Sequence, residues 1–247
     1  ILNLRHYEFS NFEVGIHYLY NKIDNVFYAT SGTLVGAKVS RSIHNKVDVE
    51  HVKNDDSVPE EELLVQGSTN DSTKFNFDIE HRRPFSAKVT GIVGANMAFI
   101  IQDPMNSNDL AFSDYGYSAM YSLGGTVLSP RKSTYIFPGM HEDEIFVSQM
   151  IKINLGVQLN PFSKFYFTPH LNLASVGFDD FDDYIGDVFS PNGNWSEAIE
   201  TSSIVSAGVN FSYHSFIGPI TFDVSYVNDI NKVRVFFSMG LLFNRSN

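Results

Sequence analysis

Apolar and polar residues alternate with a period of two over long stretches of this chain. From Ile145 to Leu159 the odd positions read Ile, Val, Gln, Ile, Ile, Leu, Val, Leu, and the even ones Phe, Ser, Met, Lys, Asn, Gly, Gln. The same split separates Val205, Ala207, Val209, Phe211 and Tyr213 from Ser206, Gly208, Asn210, Ser212 and His214. It returns in Ile220-Phe222-Val224-Tyr226 and in Val233-Val235-Phe237-Met239-Leu241-Phe243. Successive side chains of a strand point to opposite faces, so each ribbon has one oily face and one polar face. Further strands are predicted at about 10–21, 30–50, 71–82, 86–102, 115–128 and 163–176, giving about ten in all.

Period two does not by itself distinguish a soluble sandwich from a membrane wall, but strand length and polar-face content do. Ordinary strands run about five or six residues. These often reach ten or more, and a tilted strand needs about 9–11 to cross hydrocarbon. The polar face carries Gly, Ser and Asn with isolated charges: Lys38, Lys74, Lys88, Lys152, Asp78, Asp223 and Arg234. These are the expected lumen-facing charged residues. The oily face is almost free of charge, which fits lipid outside and polar groups enclosed. The predicted fold class is therefore all-β, an antiparallel transmembrane β-barrel.

Charge sharpens the picture. Segments 51–71, 103–114, 142–144 and 179–187 hold 17 of the 28 acidic residues, so acidity sits between strands. Short connections are expected at Arg82–Phe85, Asn160–Ser163 and Ser215–Pro219, and longer ones at 51–71, 128–144 and 177–200. The alternation of short and long connections slips by one between 103 and 144. Either a strand near 131–137 adds to the count, or a long loop folds inward. The formal charge of −11 excludes nucleic-acid binding by bulk charge. The absence of Cys removes thiolate zinc sites, disulfides and cysteine nucleophiles.

Four stretches carry a resemblance: Ile23-Asp24-Asn25-Val26-Phe27-Tyr28-Ala29-Thr30-Ser31-Gly32-Thr33, Ser129-Pro130-Arg131-Lys132-Ser133, Ile217-Gly218-Pro219-Ile220 and Phe237-Ser238-Met239-Gly240-Leu241-Leu242-Phe243. Together they resemble the C-terminal barrel of patatin-like phospholipases of the outer membrane. That barrel is similar in turn to the bacterial surface-antigen barrel superfamily. The resemblance implies that 1–247 are the barrel portion of a longer chain and part of a sixteen-stranded barrel, with the hydrolase domain absent. It implies an inward loop with an Arg-Gly pair. The nearest match is Phe137-Pro138-Gly139-Met140, with Pro in place of Arg. Ala29 likewise stands where the family has Pro. Phe237, Met239, Leu241 and Phe243 resemble the C-terminal sorting strand read by outer-membrane insertion machinery.

Catalysis is not expected in these residues. No Gly-x-Ser-x-Gly and no Asp-Gly-Gly occurs, so the strained turn that exposes a nucleophilic Ser is missing. His170 and His214 fall on the polar parity beside Asn172 and Ser212, where lumen hydrogen bonding is the expected role. The acidic run Asp179, Asp180, Asp182 and Asp183 lacks the Gly turn of a tight calcium loop and reads as solvated, with a weak divalent site as the alternative. Tyr184, Phe189 and Trp195 in the same connection read as interfacial aromatics. No cofactor is expected. The expected partners are outer-membrane lipids and lipopolysaccharide, the insertion machinery, and either a second copy or other outer-membrane proteins. The implied function is to anchor, and help export or display, a patatin-like phospholipase domain in the bacterial outer membrane. A stand-alone pore or receptor and a non-enzymatic subunit of a larger complex stay open as alternatives.

Overall fold

In a computed structural model, the structure describes residues 3–53, 56–57, 71–103, 120–125, 133–178, 181–189, 191, 193 and 201–240. One antiparallel sheet dominates. Its path runs β1 (Asn3–Asn21), β2 (Gly32–Lys53), β4 (Ser72–Ser86), β5 (Val89–Gln102), β9 (Gln149–Phe162), β10 (Phe165–Gly177), β11 (Ser202–Ser215), β12 (Gly218–Val227) and β13 (Lys232–Met239). The short β3 (Asp56–Ser57) extends the pairing of β2. Nine strands lie along the path, so β1 and β13 at its two ends run in the same direction.

The strands are longer than their sequence boundaries suggest. Arg82–Phe85, expected as a connection, belongs to β4, which runs on through Pro84 by a register shift; the turn itself is Ala87–Lys88. Asn160–Phe162 likewise belongs to β9, which turns at Ser163–Lys164. These turns, with 22–31 and 216–217, mark one end of the sheet, termed the turn end. The connections 54–71, 103–148 and 178–201 mark the other, the loop end.

β5 pairs directly with β9. The expected strand at 115–128 therefore does not stand between them. Its described residues supply β6 (Tyr121–Leu123), which joins β7 (Thr134–Tyr135) and β8 (Ile145–Val147) in a separate small sheet. With that strand removed, long and short connections alternate along the wall up to β12. The 178–201 connection also holds a helix, α1 (Phe181–Asp187), which strand periodicity did not predict.

The small sheet packs on the polar-parity face of the large one and builds the apolar core there. Tyr121, Leu123, Phe137, Met140, Ile145 and Val147 bury against Ala98, Ile100, Met150, Ala174, Val176, Ile204 and Val227. The opposite face is bare along most of its length. Among the described residues 32 large apolar side chains are exposed, against 16 buried apolar ones, the reverse of a soluble domain.

Candidate functional site: the membrane-facing wall and the enclosed polar face

Adjacent residues of β9 show how the strand period sorts chemistry. Lys152 is 6% exposed and its neighbour Ile153 is 42% exposed. On the bare face Phe75, Phe77, Val93, Met97, Leu155, Val157, Leu173, Phe211, Phe222, Val235 and Phe237 form a continuous apolar surface across seven strands. Toward the turn end it becomes aromatic. Phe165 and Tyr213 pair across β10 and β11 with centroids 4.8 Å apart, and Phe167 pairs with Phe211 at 5.1 Å. Phe85, Phe162 and Phe216 stand exposed at the same end. An apolar band closed by an aromatic girdle is the profile of a wall in contact with lipid.

The other face has three tiers. At the loop end lies the apolar seat of the small sheet. In the middle the charges are relayed through amides. Asn96 donates to Asp78 at 2.7 Å and accepts from Lys152 at 3.2 Å, while Lys38 pairs with Glu13 at 2.7 Å. Lys74 is buried beside them. Lys38, Asp78, Asn96 and Lys152 border a cavity of about 810 Å³ between wall and small sheet. At the turn end, residues 22–31 tuck onto the same face. Tyr28 stacks on Tyr166 with centroids 3.8 Å apart, and Ala29 is buried with its carbonyl accepting from Arg82 and Gln158.

The 22–31 element is held by one carboxylate. Asp24 accepts from the Thr30 amide at 2.9 Å, the Thr30 hydroxyl at 2.7 Å and the Ser31 hydroxyl at 3.1 Å. The Thr30 hydroxyl bond, with the backbone bonds from Thr30 and Ser31, holds its pKa down from 3.8 to about 2. This gives the Asp-to-Thr-Ser spacing of the first motif a local physical reason. Gly32 closes the element at φ 120°, where an added Cβ would lie 2.2 Å from the Lys22 carbonyl oxygen.

The inward-loop residues lie on the polar-parity face. Phe137 and Met140 are fully buried. The Ser206 hydroxyl donates to the Pro138 carbonyl. Arg234 of β13 donates to the Gly139 carbonyl at 3.4 Å and forms an ion pair with Glu144. Where the resemblance implies an Arg on the loop, here the guanidinium comes from the wall and the carboxylate from the segment. Gly139, at φ 92°, lies so close to the wall that a Cβ would meet Val227 at 2.6 Å.

The remaining expected residues separate. Asp223 is buried, accepting from Ser225 and lying 3.0 Å from Nε2 of His170. Lys88 lies exposed in the β4–β5 turn, with its ammonium toward the Pro161 carbonyl at 3.4 Å, so it lines no enclosed face. Phe237 and Met239 stand exposed on β13, whereas Leu241 and Phe243 lie outside the described residues. Asp182 and Asp183 form the exposed first turn of α1; Asp179, Asp180 and Trp195 lie outside the described residues. No cluster able to hold a metal occurs among the described residues.

Sequence reading missed one constellation. His170, Asp223 and Ser225 meet across β10, β11 and β12, joined by Asn172, 3.1 Å from Nδ1 of His170, and by Asn210, 3.4 Å from Asp223. The composition is that of a hydrolase triad, but the geometry is not. Ser225 lies 3.5 Å from the same Nε2 that addresses Asp223. A relay needs the carboxylate and the hydroxyl on opposite ring nitrogens. This is a satisfied polar network, and the shared parity of the three residues was its only sequence signal.

No family model and no curated protein matches the chain. Solved structures do match. One is the crystal structure of BamA from Haemophilus ducreyi lacking POTRA domains 1–3, at TM-score 0.55 and 15% identity. The match covers 91% of this chain and 40% of that one, so this chain spans two fifths of its length. What the two share is a fold: the antiparallel strand wall of a β-barrel.

Proposed function

We propose that this chain is a stretch of outer-membrane β-barrel wall whose interior is stoppered by its own segments, and that it works as an anchor. The observation that carries the reading is the inverted burial, with Phe237 68% exposed while Lys152 and Asp223 are sealed. In water that arrangement would be strongly unfavourable, at about 25 cal/mol per Å² of apolar surface. In a bilayer the same surface becomes the source of anchoring. The turn end would face the periplasm, the loop end the outside, and β13 would present the strand edge that insertion machinery pairs with. The finer reading, that the anchored cargo is a patatin-like phospholipase domain, rests on the four motif stretches. The reaction would then lie in another domain.

An open pore is the less favoured alternative because 22–31 and the small sheet both cover the polar face. Reconstitution of the protein as the cell makes it, in planar bilayers and in phospholipid vesicles, tests both levels. The expected result is bilayer insertion without a stable open conductance, together with fatty-acid release from the vesicles. A steady conductance that changes with Lys152→Glu would replace the anchor with a pore. Insertion without fatty-acid release would remove the phospholipase and leave the wall.

A further inference from the structure

The helix α1 lies on the wrong face to be part of the stopper. Phe181 makes an edge contact with Phe99 of β5 at 5.3 Å, and the Tyr184 hydroxyl donates to the Ser175 carbonyl of β10 at 3.1 Å. Phe99 and Ser175 share the parity of Met97 and Leu173, the bare apolar face. So α1 leaves the loop end and folds back over the outside of the wall. Beneath it lies Gln149, which carries an amide at an otherwise oily position and is 0% exposed. Tyr184 fits against Gly177, where a Cβ would lie 2.4 Å from its ring, and this close approach seals the site.

We infer that α1 is an interfacial shelf: it rides at the headgroup level of the outer leaflet, with Ile185 and Phe189 entering the top of the lipid layer. This rests on the wall reading above and adds a depth marker to it. Three observations support it. Ile185 of α1 and Phe189, two residues past its end, are exposed, Phe189 at 92%, and Asp182, Asp183 and Asp187 are exposed polar neighbours. The helix also covers Gln149, the one amide of β9 on the oily parity, whose Nε2 donates to the Ile100 carbonyl at 2.7 Å, and so keeps this polar group from facing acyl chains. The depth also fits. From Val89 to Phe99, ten strand steps of about 3.4 Å at a tilt near 40° rise about 26 Å, matching an apolar band of about 25 Å.

The sole Trp of the chain is Trp195, so a Trp195→Phe background allows single-Trp depth measurement. Phe189→Trp and, as the wall control, Val93→Trp are placed separately in that background. Each is reconstituted in vesicles of phosphatidylcholine brominated either near the headgroup or near the chain end. The expected result is at least twofold stronger quenching of Phe189→Trp by the shallow bromine, with Val93→Trp favouring the deep one. If Phe189→Trp is unquenched while Val93→Trp is quenched, α1 faces water and the shelf is overturned with the wall intact. Deep quenching of Phe189→Trp equal to the shallow also overturns it. If neither Trp is quenched, the wall reading itself fails.

Discussion

The two faces of the large sheet use one backbone to opposite ends. On one face charges and amides are buried and joined: Lys152 to Asn96 to Asp78, and His170 to Asp223 to Ser225. On the other, large apolar side chains stand uncovered across the strands. A soluble β-protein hides the second kind and exposes the first. The difference teaches that burial alone does not identify the core of such a chain. Its organising rule is where water is excluded by protein and where by another apolar medium.

Substitutions that probe each face in turn break or sharpen this contrast. The largest effect is expected at the stopper. Phe137→Ala empties a fully buried aromatic position and should destabilise by about 3–5 kcal/mol, read as a lower urea midpoint in detergent. If the segment swings away, protease cleavage within 133–147 should appear before global unfolding. On the bare face, Leu155→Arg puts a guanidinium in the middle of the band and should cost about 2–4 kcal/mol in a bilayer. Asn154→Asp, one step along the chain, should cost far less in the same refolding assay. A reversed order would exchange the faces.

Smaller effects separate the inner contacts. Glu144→Gln leaves Arg234 half-buried with only the Gly139 carbonyl and a neutral amide, and should cost about 1.5–3 kcal/mol. Urea unfolding monitored on the small sheet checks it. The pH dependence of the 22–31 element is expected to be smaller still. Asp24 has a folded pKa lowered to about 2, so its contribution is complete above the ordinary carboxylate pKa near 4 and is lost as pH falls toward about 2. Tyr28–Tyr166 stacking, followed by tyrosine fluorescence, should weaken through that window in the wild type. In Asp24→Asn it should show no step there.

Much of the wall was legible because its strands keep period two over seven residues or more, as at Ile151–Leu159 and Val233–Met239. The stopper was not, for a physical reason. Tyr121–Leu123 reads as a strand in isolation, and only pairing of β5 with β9 excludes it from the wall. A signal was nevertheless present. The polar parity turns apolar at the same end of successive strands, at Ala98 and Ile100, Met150, Ala174 and Val176, Ile204, and Val227. Such a patch demands a cover. The helix α1 escaped because its cue, Gln149 on the oily parity, is a single residue. The His170–Asp223–Ser225 network escaped because strand register, not spacing, brings its members together.

The central claim is the direction in which the oily parity points, and β9 offers the most direct measurement of it. The chain has no Cys, so nitroxide labels at single Cys substitutions of residues 151–157 report each position cleanly. In lipid vesicles the account predicts a period-two profile, with high oxygen accessibility at Ile151, Ile153, Leu155 and Val157 and low accessibility at Lys152, Asn154 and Gly156. A flat profile, or oxygen maxima on Lys152 and Asn154, would contradict it.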